Sequence, residues 1–239
     1  MDDFAALLAA GAESLGGGLP ETLRAAREAL PHVSNIGRSR DRENAYQLID
    51  GVVLELQQVY PESLCAKGCS QCCELHRALM RIHRSEWDVM HDHLVATLDP
   101  DQLEALVDRF YATYTPYLPL LHDIQRCIDE GKRPKLQPQE LPLFCPILED
   151  GACLAYPVRP AICRGYGHFQ LTNPEGDDQA IFACRDQETV LKKQLGDGAG
   201  PRAELPSFNP FYQAIATLCD GEEKLLIPLW FERAFPRPE

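Results

Sequence analysis

Apolar residues recur at helical spacing along most of this chain. In residues 43–60, Tyr46, Leu48, Val52, Leu54, Leu56 and Val59 mark one broad face, which predicts a helix interrupted by Pro61. Residues 74–130 read as almost wholly helical. Trp87, Met90, Leu94 and Leu98 share one stripe, and Ser85 with Asp88 three residues on resembles a capped start. A sharper start follows at Asp99-Pro100-Asp101-Gln102, with Asp99 as N-cap, Pro100 in the first helical position and Gln102 reciprocating. Leu103, Leu106, Val107 and Phe110 supply its stripe. Pro116 and Pro119 break or kink it near Tyr117, and Leu120 to Ile128 continue it. Shorter helices are expected over residues 2–15, 21–30, 186–195 and 210–218. Residues 131–142, 165–180 and 201–210 read as connectors or loops, and the apolar run 225–235 as packing against the body.

The pattern changes near residue 144. Phe144 to Leu148 and Ala152 to Tyr156 are short apolar runs flanking Glu149-Asp150-Gly151, and Asp-Gly in that setting signals a tight turn. Pro157 and Pro160 then force an extended or turning path. The expected fold is mainly α, a helical body with a small irregular or β-hairpin cysteine-rich metal-binding segment. Peripheral N-terminal helices and loop take residues 1–42. A cysteine-cluster metal-binding domain takes 43–195, and a C-terminal extension packing on the body takes 196–239.

Composition narrows the partners. The 239 residues carry a formal net charge of −13, whereas nucleic-acid binders present a basic face. The short basic run Lys132-Arg133-Pro134-Lys135 reads as a solvated linker, so no nucleic acid is expected. No run approaches the ~18 apolar residues of a membrane span, and Met1-Asp2-Asp3 carries acid where a signal peptide carries base. A cytoplasmic location with reduced thiols is the expectation.

Against that background the ten cysteines stand out. Cys65, Cys69, Cys72 and Cys73 fall within nine residues as C-x3-C-x2-C-C, and Cys145, Cys153, Cys163 and Cys184 follow. On a helix, offsets of 4, 7 and 8 would put the first four on one face. Gly68 equally allows a loop that curls the thiols around an ion. A thiolate cluster repels itself unless a cation neutralises it, and soft thiolates select zinc, copper(I) or iron–sulfur clusters. Eight thiolates fill two four-coordinate zinc sites, or ligate one [4Fe–4S] cluster with others left over. Cys127 and Cys219 read as packing residues. His76, three residues past Cys73, and His168, near Cys163, are reserve ligands. His91 and His93 face apart on a helix. Arg159 and Arg164 flank the downstream cysteines and either balance thiolate charge or pair with acidic residues. Tyr156 and Tyr166 read as packing residues.

The stretch Cys65 to Cys73, followed by Cys145-Pro146 and by Asp150-Gly151-Ala152-Cys153-Leu154-Ala155-Tyr156-Pro157-Val158-Arg159-Pro160-Ala161-Ile162-Cys163-Arg164, resembles the YkgJ-type cysteine-cluster family. That family carries the CxxCxxCC domain and is regarded as zinc- or iron-chelating. The resemblance covers about residues 60–185 and implies Cys65, Cys69, Cys72, Cys73, Cys145, Cys153, Cys163 and Cys184 as ligands. The function it implies is a metal-binding protein holding zinc or an iron–sulfur cluster. The alternative is an iron–sulfur-dependent oxidoreductase or a group-transfer enzyme, since the related flagellin lysine methylases transfer methyl groups. The spacing Cys65-x3-Cys69-x2-Cys72 also matches radical-SAM triads, but Gln71 stands where those enzymes carry an aromatic residue, and no alternating strand–helix pattern appears. Serine–histidine–acid arrangements, phosphate loops and dinucleotide fingerprints are absent from the sequence.

Overall fold

Asp99 opens the helix that the sequence marks most clearly. Its carboxylate accepts from the Gln102 backbone N–H at 2.8 Å, and the Gln102 side chain accepts from the Asp99 N–H at 3.0 Å. Pro100 sits in the first turn, where no intrahelical donor is needed. The computed structural model describes residues 42–63, 65, 68–74, 80–136, 141–172, 179–195 and 205–237. The helices expected at 2–15 and 21–30, the loop up to residue 41 and His76 lie outside the described residues.

Helix α1 is Arg42–Val59, and α2 is the single turn Gln71–Glu74. Strand β1, Arg81–His83, leads directly into α3, Arg84–Thr97. Helix α4, Pro100–Tyr114, gives way to a 3-10 turn at Thr115–Tyr117 and then to α5, Leu118–Asp129. Strands β2, Leu148–Glu149, and β3, Ala152–Cys153, precede a 3-10 turn at Tyr156–Val158 and α6, Ala161–Gly165. Strands β4, Phe169–Thr172, and β5, Gln179–Phe182, come next, then α7, Arg185–Leu195, and α8, Asn209–Leu218. Strand β6, Lys224–Leu226, runs into α9, Ile227–Ala234. The described chain is mainly α, with three two-stranded antiparallel sheets. None of its helices is long and apolar enough to cross a membrane.

These elements divide into two compact units, each drawing on two stretches of chain. The first comprises the described residues of Met1–Ala66 with Pro160–Asp220, and the second those of Lys67–Arg159 with Gly221–Glu239. In the first unit α1 packs on α6 and α8. Its buried face is Tyr46, Ile49, Val52, Val53, Leu56 and Tyr60. Leu54, counted on that face from sequence, is 60% exposed. It lies two residues from Val52 and from Leu56, which turns it to the far side of the helix. Residues 165–180 read as loop, yet β4 and β5 pair there from Phe169↔Phe182 to Thr172↔Gln179. Phe169 and Phe182 point into an aromatic cluster with Phe208 and Phe211. That burial fixes the register of two four-residue strands.

In the second unit β1 pairs with β6 in the register Ile82↔Leu225. Strand β1 was hidden inside an apparently helical run, because its partner is 143 residues away. Helix α3 starts at Arg84 with His83 at its cap, two residues before the expected cap Ser85. The Glu86 carboxylate caps it by accepting from the His83 N–H, while the Ser85 N–H and hydroxyl both donate to Glu222. The core joins Trp87, Phe110 and Phe231 in ring contact, and the Trp230 indole donates to Ile82 O.

Candidate metal centre

Helix does not run through Cys65–Cys73. Gly68 has φ +98°, in the left-handed region that favours glycine, and only the turn Gln71–Glu74 is helical. Ser70 starts that turn, its carbonyl accepting from the N–H groups of Cys73 and Glu74 at 2.8 and 3.0 Å. Among the described residues of this stretch, Cys65 and Cys69 lie outside helix. Cys72 and Cys73 ride the turn with their sulfurs 3.8 Å apart.

Two further cysteines of the second unit are set by short contacts. The Cys145 N–H donates to Cys73 O at 2.8 Å, which ties the downstream segment to the cysteine turn. Cys153 ends the β2–β3 hairpin, opposite Leu148. The expected tight turn is present: Asp150 and Gly151 have φ +46° and +74°, as a type I′ turn requires at both central residues. A methyl group on Gly151 would stand 3.9 Å from Ser70 Oγ, so the hairpin tip lies beside the start of the cysteine turn.

Two thiols of this group, Cys72 and Cys153, resist ionisation. The hydrogen bond to Cys73, burial and the Cys73 charge together hold Cys72 far above the usual thiol range, with Arg159 acting in the opposite direction. Burial raises Cys153, the Cys72 charge adds to it, and Arg159 again opposes. The Arg159 guanidinium is held 3.9 Å over the Tyr156 ring and donates to Tyr156 O at 3.3 Å.

The first unit holds Cys65, Cys163 and Cys184. The Cys65 carbonyl accepts from Gln57 Nε2 at 2.8 Å and from His168 Nε2 at 3.0 Å. His168, a reserve ligand by sequence, thus spends that nitrogen on positioning Cys65. Gly167, at φ +95°, packs directly on the Cys65 side chain. Gln187 Nε2 donates to Gly167 O and to Ser63 Oγ. Cys163 lies half-buried on α6, its N–H donating to Pro160 O. Cys184 is buried just ahead of α7, its carbonyl accepting from Glu188 N. Arg164 takes the other role weighed for it: it pairs with Asp50 and stacks on Tyr46. Cys219 is buried and Cys127 half-buried.

Within neither unit do three of these sulfurs, among the described residues, lie within 4.8 Å of one another. The structure sets their backbones and one sulfur pair. Sequence reasoning singled out neither Gln57 and Gln187, which bond Cys65 O and Gly167 O in the first unit, nor Arg109 and Tyr114, which bond the segments bearing Cys153 and Cys145 in the second. Only Tyr114 left a trace, four residues past Phe110 on the α4 stripe. Comparison with protein-family models, with curated proteins and with solved structures finds no match, so the chemistry of the centre stands on this chain's own residues.

Proposed function

We propose that this chain is a metal-binding protein with a thiolate centre, and that zinc is the ion held at Cys72 and Cys73. The separation of their sulfurs carries the reading. Zinc–thiolate bonds of about 2.3 Å give a tetrahedron an edge of about 3.8 Å, and the two sulfurs are 3.8 Å apart. In an iron–sulfur cluster each cysteine points outward from its own iron, so neighbouring thiolates stand farther apart than one ion's edge. Cys69, Cys145 and Cys153 are the partners within reach of the same segment, the last two through the Cys73 backbone contact and the hairpin tip. The family resemblance names Cys65, Cys163 and Cys184 of the first unit as further ligands. A zinc ion closed in by four thiolates supplies cross-linking and charge neutralisation, and Arg159 offsets the negative charge of the set.

Anaerobic purification with metal analysis and a visible spectrum tests this. Colourless protein carrying zinc is expected, with zinc content falling in a Cys72→Ser/Cys73→Ser variant. Full zinc retention in that variant refutes the assignment. Brown protein with iron and sulfide would replace zinc by a cluster, and would favour the oxidoreductase or group-transfer alternative.

A further inference from the structure

Helix α4 bears no cysteine, yet two of its side chains reach the segments that carry Cys145 and Cys153. Arg109 Nη1 donates to Glu149 Oε1 at 3.0 Å, and Nη2 donates to Leu148 O at 3.0 Å. Both acceptors belong to β2, the strand whose Leu148 faces Cys153 in the hairpin register. Five residues along, Tyr114 OH donates to the carbonyl of Phe144, the residue before Cys145. Tyr114 is fully buried and stacked on Phe110.

We infer that Arg109 and Tyr114 are positioning residues of the metal centre, which fix Cys145 and Cys153 against the Cys72–Cys73 turn. This rests on the zinc reading above. The physical case is one of rigidity. A two-stranded hairpin with two residues per strand has almost no stability of its own. The placement of Cys153 must therefore come from outside the hairpin, and the forked guanidinium supplies two bonds in fixed geometry. Helix α4 is a firm base for it, being capped by Asp99 and Gln102 and buried through Leu106, Phe110 and Tyr114. Thiolates presented at set positions lose less freedom on binding the ion, so affinity depends on residues that never touch it.

The test is chelator competition for zinc with the full chain, comparing wild type with Arg109→Ala, Arg109→Lys and Tyr114→Phe. Residues that hold ligands in place typically change metal affinity by about 10–100-fold. Arg109→Ala and Tyr114→Phe should fall in that range, and Arg109→Lys, with one donor group in place of the fork, should recover part of the loss. The cobalt(II) form should show an altered thiolate charge-transfer spectrum in Arg109→Ala. Leu121→Val, which loosens the buried face of α5 and leaves both hydrogen-bonding side chains in place, serves as the stability control. It should bind zinc within about threefold of wild type, against the larger range above. Wild-type-tight zinc binding by Arg109→Ala overturns the inference alone, as does an equal loss in Leu121→Val. Wild-type protein that takes up no zinc overturns the centre and the inference together.

Discussion

Replacing Gly167 with alanine should damage the first unit severely. A methyl group there would stand 2.1 Å from Cys65 Sγ and 2.8 Å from Cys65 Cβ. Carbon atoms pack at about 3.5–4.0 Å, so the cysteine side chain would have to move by more than about 1 Å. It has little room to do so. Its carbonyl is held by Gln57 and His168, while Gly167 itself donates to Phe182 O and accepts from Gln187. Overpacking of this kind costs about 1–3 kcal/mol. The φ of +95° adds about 1–2 kcal/mol for any residue with a Cβ. Together they predict a loss of about 2–5 kcal/mol. Urea unfolding of chelator-treated protein measures it. Both tryptophans, Trp87 and Trp230, lie in the second unit. Far-UV circular dichroism, which sees α1 and α8, is therefore the appropriate signal for the first. Cys65→Ala removes the sulfur, so the double variant should recover about 1 kcal/mol relative to additivity. A loss below about 1 kcal/mol, or strict additivity in the double variant, refutes the packing argument.

Two other outcomes follow from the same geometry. Cys72 and Cys153 are held protonated at neutral pH, so zinc must displace their protons, and affinity should rise about tenfold per pH unit for each thiol released. A slope near zero in log Kd against pH over about two units around neutrality contradicts this. The metal-free protein should behave oppositely at high pH. Unfolded thiols ionise near 9.0 while these two stay protonated when folded. Their stabilising share is therefore complete below that value and lost as pH climbs above it. Asp99→Ala removes the N-cap of α4 and should cost about 1 kcal/mol, read as a shift in the urea midpoint with unchanged m-value. No shift would mean that Pro100 and the buried stripe alone start the helix.

Local chemistry explains which features could be read from the chain. The Asp99-Pro100-Gln102 start and the Asp150-Gly151 turn depend on groups within four residues of each other, and both form as expected. Tyr117 likewise marks the break between α4 and α5. What escaped depends on distant partners. Strand β1 has three residues and no pattern of its own until Lys224–Leu226 pairs with it. Strands β4 and β5 sit in glycine- and aspartate-rich surroundings and are fixed by Phe208 and Phe211, far along the chain. At the centre, the cysteine spacing left helix and loop equally open between Cys65 and Cys73. Arg159 and Arg164, alike in sequence context, were separated only by their surroundings: the Tyr156 ring and the field felt by two thiols for one, Asp50 and Tyr46 for the other.

The division of each unit between two stretches of chain bears on how the protein is made. On the ribosome, residues 67–159 emerge with α3, α4 and α5 but without β6 or α9. Until residues 221–237 follow, β1 has no partner strand, and Phe110 and Trp87 lack Phe231 to pack on. The first unit is likewise open until α8 arrives to cover α1. Both units thus close late and within a few dozen residues of each other. Until those segments emerge, nascent chains would present bare aromatic faces, the condition in which chaperone capture competes with folding.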